Sequence, residues 1–472
     1  MERRGVLLGL QPAQLLTVSI AAVVAFGADV TMSRHGGRAA AALVLVLGIV
    51  SALWTRSGRP ASVWFVEAAT CFARRAGGPL LDDQPLQGIT SGSTGRRRTA
   101  GESAARQART VSPRGIVLAA LTSSPGRPTG VVVDRRHGRW VAAIPVKGRS
   151  FSLLDPEEQA RRLDGWRVVL NSLGRPGTAV RRVQWIERSF PEVAAGLLRT
   201  AESLQPATGS NSAVSSYQDL VASAAPAQVH EAYVLAAVAG PPEVGSSVGR
   251  RAEEVLLREI RLLEGQLRNA DLLPSPPLNP DELAAAIASV YEPATAQRGS
   301  ARSSPWPVAE DEQWSYVRSG SCWHATYWIA DWPRVDVNPD FMMPLLVSEG
   351  RRTVSLVMEP VPPDRAAREV RSARTADAAD DHLRSRAGFL PSARRSRESE
   401  GVVRREVELA DGHAEFRFSG YVSVHAADRE SLDLACAEAE HAAQAARVEI
   451  RRLFGRQREA LSWTLPLARG LR

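Results

Sequence analysis

The sequence predicts a membrane-anchored α+β protein: an N-terminal two-helix transmembrane hairpin, then two cytosolic α+β lobes built from β-α-β-type units. Three observations carry that expectation. Two apolar runs, residues 14–30 and 39–54, lie near the start. Strand-like alternation and helix-like periodicity then succeed one another along the chain, with capping residues at the helix starts. The length, 472 residues, suffices for two or three domains.

The hairpin occupies 1–60. Residues 14–30 are mostly apolar with Asp29 near their end, and residues 39–54 carry no charge. A span needs roughly 20 residues, so both runs are slightly short, and Leu7, Leu8 and Leu10 extend the first. Arg3, Arg4, Arg56, Arg59, Arg74 and Arg75 flank the outer ends, which places both ends in the cytoplasm. A cleaved signal peptide and a buried core hairpin compete with this reading. Over 61–113, Trp64, Ala68 and Phe72 suggest an elbow helix, and an Arg/Ser/Gly-rich stretch follows as a flexible linker.

The first lobe is expected over 114–300. Residues 130–146 hold two apolar runs around Asp134–Gly138, a hairpin signal. Asp155, Pro156 and Glu158 make a helix start, with Asp155 as N-cap and Pro156 at the first helical position. Leu163, Trp166, Leu170 and Leu173 follow on one helical face. Residues 180–190 and 229–239 read as strands. Leu256, Ile260, Leu263 and Leu267 stripe a helix over 251–268, and Asn279, Pro280 and Glu282 open another with the same cap.

The second lobe is expected over 301–472. Its first part is rich in tryptophan, and alternation puts Trp323, Ala325, Tyr327 and Ile329 on one strand face. Such aromatics serve either core packing or a base-stacking platform. A strand over 353–361 precedes a helix from Asp364 to Arg386. That helix carries Arg365, Arg368, Arg371 and Arg374 three apart, as a solvated face or as a contact for an acidic partner. These four arginines, with Trp323 and Tyr327, are the candidate partner-binding residues. A strand over 414–425, a helix capped by Asp428 and a strand over 448–453 complete the lobe.

Composition and motifs exclude several chemistries. With 44% hydrophobic and 23% charged residues, the chain is a folded protein. Its 59 basic residues against 51 acidic ones give a charge of +8, yet Lys147 is the only lysine. That skew towards arginine points to a GC-rich genome. Lys147 follows no Gly-rich loop, so a P-loop, whose lysine must reach the phosphates, is absent. Cys71, Cys322 and Cys436 stand far apart, which supports a reducing compartment and no disulfide framework. Gly245–Gly249 matches the Gly-x-Ser-x-Gly pattern, but five residues separate it from the preceding strand, and a loop entering a helix explains it better. Cys322 with His324, and Asp377, Asp380 and Asp381 with His382, read as core and as solvated helix surface rather than as metal ligands. No enzyme activity, cofactor or metal is expected.

Several words in the second half carry a resemblance: Trp323–Trp328, Ala330–Arg334, Arg352–Pro360, Ala373–Thr375, Arg386–Phe389, Leu409–Glu415, Phe418–Tyr421 and Leu465–Gly470. They resemble a family of actinobacterial membrane proteins found with integrative conjugative elements. The resemblance implies a PrgI-like membrane hairpin fused to a region similar to the N-terminal, non-motor part of type IV secretion ATPases. The tail before the first apolar run is shorter than that pattern expects.

Four functions remain open on the sequence alone. The resemblance implies a structural inner-membrane subunit of a conjugation or type IV secretion-like machine. Its partners would be the cytoplasmic membrane, other channel subunits and a P-loop ATPase supplied by a separate chain. The basic balance suits a membrane-tethered protein that binds DNA. A type VII secretion accessory protein and an unrecognised enzyme complete the set.

Overall fold

The computed structural model describes residues 12–31, 42–48, 112–121, 127–148, 151–191, 228–243, 246–292, 304–333, 335–386 and 393–471, with a few isolated positions besides. Two units are distinguished: residues 1–80 with 312–315 and 453–457, and the remainder.

In the first unit, helix α1 runs Pro12–Thr31 and exposes Ile20, Val23 and Phe26. The expected transmembrane hairpin is corrected here. Among the described residues, no helix is long and apolar enough to cross a membrane. The second apolar run is described as continuous helix only over 42–48, well short of the roughly 20 residues a span needs. Most of the expected elbow helix and linker, 61–113, lies outside the described residues.

The second unit is organised by one antiparallel sheet. Its strands are β1 (Ile116–Leu121), β2 (Thr129–Asp134), β3 (Arg139–Lys147), β4 (Val180–Pro191), β5 (Gln228–Ala239), β6 (Leu273–Pro274), β7 (Glu310–Glu312), β8 (Val317–Ser319), β9 (Cys322–Asp331), β10 (Arg351–Pro360), β11 (Phe416–Ala426) and β12 (Glu449–Arg452). The order is β1-β2-β3-β5-β4-β10-β11-β9-β8-β7, with β6 on β3 and β12 on β9. Two separate lobes were expected, and this too is corrected. β4 and β10 pair along seven positions from Arg352↔Ser189 to Met358↔Val183, so the sheet is continuous between the two halves.

Helices cover it unequally. α2 (Pro156–Leu173), α3 (Ser247–Asn269) and α8 (Arg429–Ala445) pack on one face. Leu256, Ile260, Leu263 and Leu267 of α3 meet Val234, Ala236 and Val238 of β5, all buried. Leu432, Ala439 and Ala443 of α8 meet Ala325, Tyr327 and Val422. The opposite face holds α4 (Pro280–Tyr291) and the C-terminal segment, through Leu283, Ile287, Leu465 and Leu467. A short α5 (Met343–Val347) links β9 to β10, and α6 (Pro363–Arg386) with α7 (Ala393–Ala410) form an antiparallel pair between β10 and β11.

Local chemistry explains the helix starts. Asp155 accepts from the Glu158 amide at 2.8 Å, Asp428 from Ser431 at 2.8 Å, and Asn279 forms a full capping box with Glu282. Gly130 is fixed by close approach: its amide donates to Leu278 O at 2.7 Å, and a Cβ there would lie 2.7 Å from Asn279 O. The backbone before α4 has little room to retreat. Gly130→Ala is therefore expected to destabilise the protein by about 1–3 kcal/mol. Gly148→Ala, where a Cβ meets nothing within 4 Å, is the control. Urea unfolding of both variants checks this.

The sheet contains one plan twice. β3-α2-β4-β5-α3-β6 has the spatial order β6-β3-β5-β4. β9-α5-β10-β11-α8-β12 has the order β12-β9-β11-β10. Each is a β-α-β-β-α-β unit of ferredoxin-like topology. The correspondence extends outward, since β2 and β8 each form a hairpin with the first strand of the following unit. The units meet through equivalent strands, β4 and β10, run antiparallel.

Candidate functional site

The candidate residues fall into two environments. On the α6–α7 pair, Arg365 Nε donates to Glu369 at 2.9 Å, and Arg417 reaches the same carboxylate at 2.9 Å. The hydrogen bond from Arg365 holds the Glu369 carboxyl below its ordinary pKa, with Arg417 and Arg405 adding to the effect. Arg374 is bonded to Glu406 across the pair, and Arg405 to Glu415. Arg365 and Arg374 thus serve the internal ties of the pair. Arg368 and Arg371 are exposed, and among the described residues neither has an acidic partner. Spaced by three, they share one face of α6.

The two aromatic candidates lie on the helix-facing side of β9. Trp323 is half-buried, with Tyr316 at 4.9 Å between ring centroids and the Arg318 guanidinium 5.5 Å from its ring. Tyr327 is 1% exposed; its hydroxyl donates to Glu440 at 2.8 Å and accepts from Arg452. Burial, with Cys436 adding to it and Arg452 opposing it, pushes the phenol well above its ordinary pKa. The structure does not bring these two aromatics together with the arginines into one surface. Trp306 is also buried, Trp332 packs edge-on against Phe418, and Trp328 donates to Ser419. The aromatic-rich segment is accordingly spent on packing.

The other face of β9 holds an arrangement that the sequence reading left as core. His324 and His425 are both buried, with their Nδ1 atoms 2.7 Å apart. Ser319 Oγ lies 2.5 Å from His324 Nε2, and Thr353 Oγ1 3.3 Å from His425 Nε2. With both rings neutral, one of the two facing Nδ1 atoms carries a hydrogen and the other accepts it. Burial lowers the His324 pKa to about 3, and that of His425 falls well below the ordinary value. Burial pushes the Cys322 thiol up to about 12, so it is not a thiolate at neutral pH. Among the described residues, no group of three His, Cys, Asp or Glu side chains is placed to hold a metal ion. Ser246 caps α3 by accepting from Gly249 at 3.0 Å, which gives the Gly-x-Ser-x-Gly string a structural role.

Beneath the C-terminal segment this polar layer continues. Gln184 Nε2 donates to Ser355 Oγ at 2.8 Å and to Trp463 O and Leu465 O at 3.0 Å, while its Oε1 accepts from Ala468 at 2.7 Å. Arg182 reaches Ala468 O and Leu471 O, and is paired with Glu359. Sequence reasoning missed Gln184 and Arg182. Their only signal was a polar residue alternating with Val183 and Trp185 in a strand that otherwise reads as buried.

No curated protein matches the chain. A family model described as "Putative type VII ESX secretion system translocon, EccE" matches residues 229–329, from β5 of the first repeat into β9 of the second, a stretch similar to that of a secretion-system component.

Proposed function

We propose that this chain is a non-enzymatic component of a type VII secretion translocon, a scaffold that holds partner subunits. The observation that carries the proposal is the family match over residues 229–329. It favours the type VII alternative over conjugation. The site chemistry agrees: the buried histidines and Cys322 are tied into the core, and the arginines available on α6 suit an acidic protein surface. The energy for transport must come from elsewhere, because Lys147 lies in no phosphate loop. A separate P-loop ATPase of the same system is the proposed partner. The proposed location is beside the translocon at the cytoplasmic membrane, with the sheet on the cytoplasmic side, where the free thiols of Cys322 and Cys436 persist.

Affinity purification of the tagged full-length chain from native membranes tests this. Co-recovery of the system's ATPase is the expected result. Arg368→Glu with Arg371→Glu is expected to reduce that recovery by about ten-fold without lowering thermal stability, as rim charges act on association rather than fold. Recovery of DNA that salt releases, with no secretion subunit, overturns the proposal.

A further inference from the structure

On the helix-bearing face of the sheet, a cavity of about 420 Å³ opens where the two repeats join. Its floor is laid by Trp185 and Glu187 of β4 with Leu356 and Met358 of β10, so both repeats contribute. Trp166 of α2 stands over it. The volume is that of a small-molecule site, largely apolar with few polar groups.

The charges in this cavity do not balance. Arg162 at the rim is matched by Asp271 at 2.7 Å and lies 3.5 Å from Glu158. That leaves Glu187 on the floor, with a carboxylate side chain 16% exposed. His230 stands beside it, with its Nδ1 3.4 Å from Glu187 Oε1. His230 also sits 3.1 Å from Ser189 Oγ, which shares its polar edge. An acid placed among indole rings and aliphatic side chains attracts a cation carried on an apolar body. The carboxylate gains a counter-ion, the ring faces add cation–π attraction, and the body fills the remaining space.

We propose that this cavity is a binding site for a small organic amine with an aromatic or aliphatic body, its ammonium paired with Glu187. Burial already raises the Glu187 pKa to about 7, so the empty site holds a carboxyl that readily changes its protonation. A bound ammonium would stabilise the ionised form. The site is independent of the secretion role and stands or falls separately.

Calorimetric titration of the full chain with phenylbutylamine, phenylbutanol and phenylbutyrate at pH 8, with tryptophan fluorescence followed in parallel, is the test. The amine is expected to bind about ten-fold more tightly than the alcohol, and the acid more weakly than either, as a desolvated charge pair requires. Glu187→Gln is expected to bring amine and alcohol to within about two-fold while circular dichroism stays unchanged. Leu356→Trp, which fills the cavity from the other repeat, is expected to abolish binding of all three. Equal binding of amine and alcohol, an amine preference that survives Glu187→Gln, or no binding by any probe overturns the proposal.

Discussion

Acidification from pH 7 to pH 5 is expected to weaken the fold at the buried His324–His425 pair. Both rings are held neutral by burial, and the structure gives the pair one proton to share between facing Nδ1 atoms. A second added proton would set N–H against N–H. The unfolded chain takes up protons at each histidine near pH 6.5, whereas His324 in the fold does so only near pH 3. Below pH 6.5 the unfolded state therefore binds more protons, and stability falls as pH falls, by about 1.4 kcal/mol per pH unit for each histidine. For the pair this is on the order of 3–4 kcal/mol between pH 7 and pH 5. Arg188 and Arg351 face His425 and add to the effect. Glu187 acts with the opposite sign: its raised pKa makes the fold less stable as pH rises through about 7, so acid relieves it. A difference measurement removes that contribution. Urea midpoints at both pH values, in the native chain and in His324→Gln/His425→Gln, should show a much smaller acid loss in the variant. Superimposable pH profiles would sink the idea.

Gln184→Met should destabilise the protein by about 3 kcal/mol, although it preserves side-chain volume. The reason lies in what Gln184 satisfies. Trp463 O keeps a second donor in Ser355 Oγ at 3.0 Å, and Leu465 O keeps the Leu467 amide at 2.7 Å. The Ala468 amide donates to Gln184 Oε1 at 2.7 Å in a fully buried place. Removing that acceptor strands a buried N–H beside Arg182, whose guanidinium depends on Ala468 O and Leu471 O. The C-terminal segment should then detach first. Limited proteolysis of the variant is expected to clip within residues 463–471 before the sheet is cut, at protease levels that leave the native chain whole. A variant with native urea midpoint and native protease resistance would show that packing, not these bonds, holds the segment.

Most elements were legible because each rests on local chemistry. Asp155, Asn279 and Asp428 announced their helices, and the Leu256–Leu267 stripe marked the buried face of α3. What was not legible was which strands pair. β4 and β10 are distant in sequence, and apolar alternation says which face is buried without naming a neighbour. The expectation of two lobes failed there. The polar sides of β9 and β11 were not legible as one layer: Thr326 and Ser423 are bonded at 2.7 Å, and with His324 and His425 all four are buried. Long-range hydrogen bonds, invisible to periodicity, offset the cost of taking them from water. At the N-terminus, two apolar runs with flanking arginines were read as membrane spans, whereas among the described residues no helix is long and apolar enough to cross a membrane. Of the candidate surface, the arginine spacing was visible, but only the fold separates Arg368 and Arg371 from the internally paired Arg365 and Arg374.

The doubled β-α-β-β-α-β plan is the architecture of a homodimer written into one chain. In a true homodimer each mutation appears twice, so neither half can specialise. Here the halves differ. α2 has 18 residues where its counterpart α5 has 5. Within one chain the two units can thus carry helical cover of different length, which two identical subunits cannot. The two halves are joined by a ladder of seven pairs between equivalent strands, β4 and β10.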